Sequence, residues 1–165
     1  MRPEIYWIPI QSVGRLAIMP RPRAGDWLDD EIAGWQMEGV DTVVSLLEAE
    51  EVAELGLQRE AALCRRHDIE FLSFPIRDRD VPESAQAVVA LVETIDHQVS
   101  AGNSVAIHCR AGIGRSSLVA ACVLLSLGLE PGAAFDAIER ARGVRVPDTE
   151  AQRAWVAAFG DQTIL

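Results

Sequence analysis

Val105-Ala-Ile-His-Cys-Arg-Ala-Gly-Ile-Gly-Arg-Ser-Ser117 is the stretch on which the reading of the chain turns. It opens in a compact apolar run, Ser104 to His108, that predicts a buried strand. It closes in a very apolar stretch from Ser116 to Leu127 that predicts a helix. Ligands of open α/β sheets sit beyond the carboxyl ends of strands, where loops meet helix N-termini. Gly112 and Gly114 let the turn curl so that successive N–H groups of Arg110, Ala111, Gly112, Ile113 and Gly114 line an anion nest. The helix dipole adds to the attraction for a tetrahedral dianion, and Arg115 closes the nest with a planar, two-pronged contact. The same field favours the thiolate of Cys109, a nucleophile. Ser116 is placed to donate a hydrogen bond to that sulfur and stabilise it as a leaving group. His108 is placed to orient the loop through its ring nitrogens.

Working outward, strand and helix patterns alternate. Ile5 to Met19 reads as one or two short edge strands. Asp26 reads as an N-cap ahead of a helix with Leu28, Ile32 and Trp35 on one face, ending at Gly39. Thr42 to Leu47 reads as a buried strand, and a polar helical stretch follows with Leu57, Ala61 and Cys64 on one face. Ile69 to Phe74 is the next strand. Pro75 to Pro82 is a charged loop, with Pro82 opening a helix striped by Val88, Val92, Ile95 and Val99. Pro131 and Gly143 bound a later helix, and Thr149 and Gln152 form a T-x-x-Q capping box for the last. Alternation of this kind predicts an α/β fold with a mainly parallel sheet covered on both faces.

Composition narrows the function. The 165 residues, 49% of them hydrophobic, fit one domain spanning residues 1–165, and no linker divides them. The net charge is −10, and every one of the 15 basic residues is arginine. Such a surface repels long polyanions, which argues against general nucleic-acid binding or an anionic membrane but not against a small phosphorylated group. The longest apolar run, Leu118 to Leu125, is far short of the roughly 20 residues that span a bilayer. Three cysteines without a C-x-x-C pair predict neither a disulfide framework nor a metal site. With no apolar leader in the first ten residues, the expectation is a reduced, cytoplasmic protein. Cys64 and Cys122 read as buried small hydrophobes or, alternatively, as a resolving thiol for Cys109. The run Glu48, Glu50, Glu51 and Glu54 reads as a solvated face, and His67 and His97 as surface residues.

His108-Cys109-x5-Arg115-Ser116 resembles the signature of the cysteine-based protein tyrosine phosphatases, and Ala111-Gly-Ile-Gly-Arg115 resembles that of their dual-specificity branch. The chain is similar to the small kinase-associated and cell-cycle phosphatases from about Thr42 to Phe159. The resemblance implies a general acid from a separate loop, three residues after a proline. In Phe74-Pro-Ile-Arg-Asp-Arg-Asp-Val-Pro82 that selects Asp78, with Asp80 as the alternative. It implies attack by Cys109 on phosphorus, a cysteinyl-phosphate intermediate, and no metal or cofactor. Many tyrosine phosphatases carry a glutamine-rich loop that positions the hydrolytic water. Here Val146-Pro-Asp-Thr-Glu-Ala-Gln152 puts Asp148 in its place, with Gln152 as a supporting residue.

The expected substrates are phosphotyrosine, and further phosphoserine or phosphothreonine, in a protein or a small phosphomonoester. A phosphoinositide or nucleic-acid 5′-phosphate substrate, a phosphoprotein-binding module and a sulfur-transfer domain are the competing readings. Arg77, Arg79, Arg110, Arg115, Arg142 and Arg145 predict a positive funnel at the site.

Overall fold

The computed structural model describes residues 2–163. Its strands are β1 (Tyr6–Ile8), β2 (Arg15–Met19), β3 (Thr42–Ser45), β4 (Glu70–Ser73) and β5 (Ser104–His108). They form one sheet in the order β1-β2-β5-β3-β4. β1 is antiparallel to β2, and the other pairings are parallel. The sequence reading makes β2 an edge strand, but β2 lies inside the sheet between β1 and β5. The reason is in its composition: Leu16, Ala17, Ile18 and Met19 are consecutive apolar residues, and all are fully buried. A run with no polar face needs cover on both sides.

The helices are α1 (Leu28–Met37), α2 (Ala49–Leu55), α3 (Glu60–Arg66), α4 (Ala85–Ser100), α5 (Arg115–Ser126), α6 (Pro131–Arg142) and α7 (Glu150–Thr163). Alternating strand residues divide the core between them. Leu16, Ile18, Val44, Val105 and Ile107 face α4, α5, α6 and α7. Ala17, Met19, Val43 and Ala106 face α1 and α3, packing on Trp35, Leu63 and Cys64.

Local signals hold in some places and shift in others. Asp26 does not cap α1: it lies in a 3-10 turn, Gly25–Trp27, and Trp27 takes the cap position without a side-chain bond. Pro82 lies upstream of α4, whose N-terminus is capped by Ser84 Oγ, accepting from the Ala87 N–H at 3.1 Å. The polar stretch after β3 breaks into α2 and α3 at Gly56, which is left-handed (φ 67°). Pro131 and Gly143 open and close α6 as expected.

One registration positions the site. Met19 of β2 and Ser45 of β3 both pair with His108 of β5, and the Leu46 N–H donates to the His108 carbonyl at 2.9 Å. Three parallel strands therefore end at one level, and their loops leave from a common platform. Among the described residues, no helix is long and apolar enough to cross a membrane.

Candidate active site

Residues 109–114 leave β5 and re-enter the fold as the first turn of α5. Cys109 is buried, and its thiol donates to Ser116 Oγ at 3.3 Å. When the sulfur is ionised the same hydroxyl can donate back, which is the role expected for Ser116. Two glycines shape the turn for different reasons. Gly112 has φ 72°, and a Cβ there would stand 2.6 Å from the carbonyl carbon of Met19. Gly114 is right-handed, but its Cβ would collide with the Asp148 carboxylate, whose Cγ lies 3.0 Å from that point.

The loop is held from outside. Arg142, at the end of α6, donates from Nε to the Gly112 carbonyl at 2.9 Å and from a terminal nitrogen to the Ala111 carbonyl at 3.2 Å. In a trans peptide the N–H points opposite to the C=O. The N–H groups of Gly112 and Ile113 therefore face away from Arg142, the sense an anion nest requires. The guanidinium also lies over the Tyr6 ring, 4.2 Å from its centroid. Arg142 is thus a brace behind the loop rather than part of a positive funnel. The Arg21 N–H adds a bond to the Arg110 carbonyl at 3.1 Å.

Arg115 is buried. It donates to Glu51 through both terminal nitrogens, at 2.7 and 3.0 Å, and to the Ile76 carbonyl at 2.9 Å. It also pairs with Asp78 Oδ1 at 3.0 Å. Burial works against its charge, but Glu51, Cys109 and Asp78 more than offset this and hold the guanidinium above its ordinary value. Burial likewise opposes ionisation of Glu51. Hydrogen bonds from Arg115 and from the Glu48 N–H outweigh it and keep the carboxyl below its usual range.

This corrects the reading of the glutamate run as a solvated face. Glu51 is buried, Glu48 and Glu51 form a capping box on α2, and Glu54 meets Arg110 at 3.4 Å. A polar run hides one inward position when its helix starts at the platform where Arg115 is buried. The signal that could have found Glu51 is the demand of a buried arginine for a carboxylate.

The two acid candidates part company. Asp78, half exposed, reaches Arg115, whereas Asp80 Oδ1 accepts from the Val81 N–H at 2.7 Å. His108 is fully buried: Nδ1 lies 3.3 Å from the Cys109 carbonyl and Nε2 lies 2.6 Å from Glu60 Oε2. Glu60 was not legible as a partner, because it lies 48 residues from His108 in the chain and the two meet only once α3 packs on the sheet. His67, read as a surface residue, is partly buried and meets Asp29 at 2.9 Å. Gln152 is buried, and its Oε1 accepts from the N–H groups of Asp148 and Thr149 at 3.0 and 3.2 Å. The Thr149 hydroxyl accepts from the Gln152 N–H at 3.1 Å, completing the expected capping box. Arg77 and Arg145 stay exposed, without an acidic partner among the described residues.

A strand–loop–helix cradle with a buried cysteine, a buried arginine and an aspartate above them defines a cysteine phosphatase type of site. The family model described as "Tc-R-P: Polymorphic toxin system, DSP-PTPase phosphatase" matches residues 17–129, well over half the chain. The chain therefore belongs to the dual-specificity protein tyrosine phosphatase family.

Among curated proteins, "Cyclin-dependent kinase inhibitor 3" of Sus scrofa is 33% identical over 90 residues, covering 53% of this chain and 42% of that protein. The match thus spans less than half of that relative's length. Among solved structures, kinase associated phosphatase with its catalytic cysteine replaced by serine superposes with a TM-score of 0.90 at 21% identity, covering 98% of this chain and 96% of that one. Tk-PTP in the active form gives a TM-score of 0.78 at 30% identity, covering 99% and 100%.

Proposed function

We propose that residues 1–165 act as one phosphatase domain that hydrolyses phosphotyrosine, and further phosphoserine or phosphothreonine, through a cysteinyl-phosphate. The observation that carries this reading is the Arg115–Asp78 contact at 3.0 Å beside Cys109. It supports the reading by setting a carboxyl of the loop after β4 against the cation that opens α5, the helix whose Ser116 meets the Cys109 thiol. In the first step the sulfur of Cys109 attacks phosphorus, the bond to the ester oxygen breaks, and Asp78 gives that oxygen its proton. In the second, water attacks phosphorus and Asp78 takes its proton. The P–S bond then breaks, and the thiolate leaves against the Ser116 hydroxyl. Arg115 and the N–H groups of residues 110–114 stabilise charge on the equatorial oxygens, where phosphoryl transfer needs it. Every group in this scheme comes from the chain itself, so it calls for no metal or cofactor. A cytoplasmic setting, which keeps Cys109 reduced, fits it.

Arg77 and Arg145, exposed and without an acidic partner among the described residues, favour a phosphoinositide headgroup as the second reading. The test is phosphate release from phosphotyrosyl peptide, phosphoseryl peptide and micellar phosphoinositide in EDTA, with wild type beside Cys109→Ser. Release from the peptides that vanishes in the variant is expected. Release from the lipid alone moves the assignment to the second reading. Equal release by both proteins removes Cys109 as nucleophile. Tight phosphopeptide binding without release leaves a binding module.

A further inference from the structure

Capping α7 uses only one end of the Gln152 amide, its oxygen. The other end crosses to a different part of the chain: Nε2 donates to the Asp80 carbonyl at 3.1 Å. The side chain is fully buried, so this donor has no water to fall back on. Nε2 also stands 3.1 Å from the point where a Gly114 side chain would begin, which puts the amide against the catalytic loop as well.

The acid loop needs such a hold. Arg79 adopts φ 60°, a left-handed conformation that sterics oppose in a residue with a Cβ. On one side of Arg79, Asp78 is pulled toward Arg115. On the other, the Asp80 carbonyl is gripped by Gln152. A weaker approach of Arg79 to Asp148, at 4.0 Å, joins the same two segments.

We propose that Gln152 is a positioning residue for the general acid, holding the acid loop closed over Cys109 through the Asp80 carbonyl. The proposal rests on the phosphatase reading above. General acid catalysis contributes roughly 10²–10⁴-fold and acts only within hydrogen-bond reach of the leaving oxygen. It matters most when the leaving group is a poor one. Loosening the loop therefore changes how strongly turnover depends on the leaving group, which a purely structural defect does not.

Gln152→Glu isolates the contact, because it keeps an oxygen for the Asp148 and Thr149 N–H groups and loses the donor to Asp80. Thr149→Ala is the control: it removes a capping hydroxyl and leaves the crossing amide in place. Gln152→Met serves if the glutamate variant fails to fold. Turnover of phenyl phosphate, a poor leaving group, is compared with that of p-nitrophenyl phosphate, a good one. Hydrogen exchange of the peptide covering residues 77–81 is followed in parallel.

The expected result in Gln152→Glu is about a tenfold fall on phenyl phosphate. The other substrate should change far less, and exchange at residues 77–81 should quicken. Thr149→Ala should do neither. An equal fall on both substrates, or unchanged exchange, overturns the proposal. If wild type hydrolyses neither ester, the phosphatase reading fails, and exchange alone decides whether Gln152 holds the loop.

Discussion

Arg115 grips Glu51 with two nitrogens and still reaches Asp78, so one guanidinium holds a buried carboxylate and a half-exposed one. The buried partner orients the arginine; in the proposed mechanism the half-exposed Asp78 gives up this contact to the substrate phosphate. Glu51 carries a pH signature. Its carboxyl is held below the usual range, so the folded chain binds that proton less tightly than the unfolded chain does. Its contribution is then fully present above the unfolded value, about 4.3. It is lost as acidification passes through the lowered folded value. Breaking a buried pair from one side costs about 3–5 kcal/mol. Glu51→Gln should therefore lower stability by about 3 kcal/mol near neutrality, with the gap to wild type closing at acid pH in denaturant titrations. A gap independent of pH would mean that the charge contributes nothing. The sequence did not reveal this residue. Cys109, Arg115 and Ser116 lie in one contiguous turn that local rules reach, whereas Asp78 was reached only through the family resemblance, by its offset from Pro75. Glu51, Glu60 and the brace Arg142 act on partners chosen by strand order, which no local rule encodes.

At the scale of elements, β5, α5 and α6 were legible because their strand run, glycines and terminal proline act locally. The inner place of β2 was not, since a short apolar run has the same pattern at an edge or a centre. The elements also determine what the remaining cysteines can do. Cys64 on α3 lies under the sheet, where burial pushes its thiol up to about 12. Burial raises the Cys122 thiol on α5 as well. Since the thiolate is the reactive form, neither is fit to resolve an oxidised Cys109. Iodoacetamide at mildly alkaline pH should modify Cys109 in the native protein and spare both others, as read by peptide mass spectrometry. Recovery from peroxide should be the same in Cys64→Ala as in wild type. A mixed disulfide joining Cys109 to either residue would refute this.

For the whole molecule, the net charge of −10 surrounds a site whose arginines are largely engaged with glutamates, an aspartate and loop carbonyls. A compact phosphate reaches it, but a chain of phosphates meets repulsion from the rest of the surface. A 5′-phosphorylated oligonucleotide should therefore be a poorer substrate than a phosphotyrosyl peptide. The difference should shrink as salt rises, because screening shortens from about 8 Å at physiological ionic strength to about 3 Å at roughly 1 M. A ratio of kcat/KM indifferent to salt would show that shape, not field, discriminates. The family match ends at residue 129, before the brace Arg142, the Asp148 turn and Gln152. The proposed nucleophile, cation and acid lie inside the matched stretch, as do Glu51 and Glu54, while Arg142, Asp148 and Gln152 belong to the last two helices and the link between them. On the proposed roles, a change confined to this tail should reset the tempo of turnover and leave its chemistry in place.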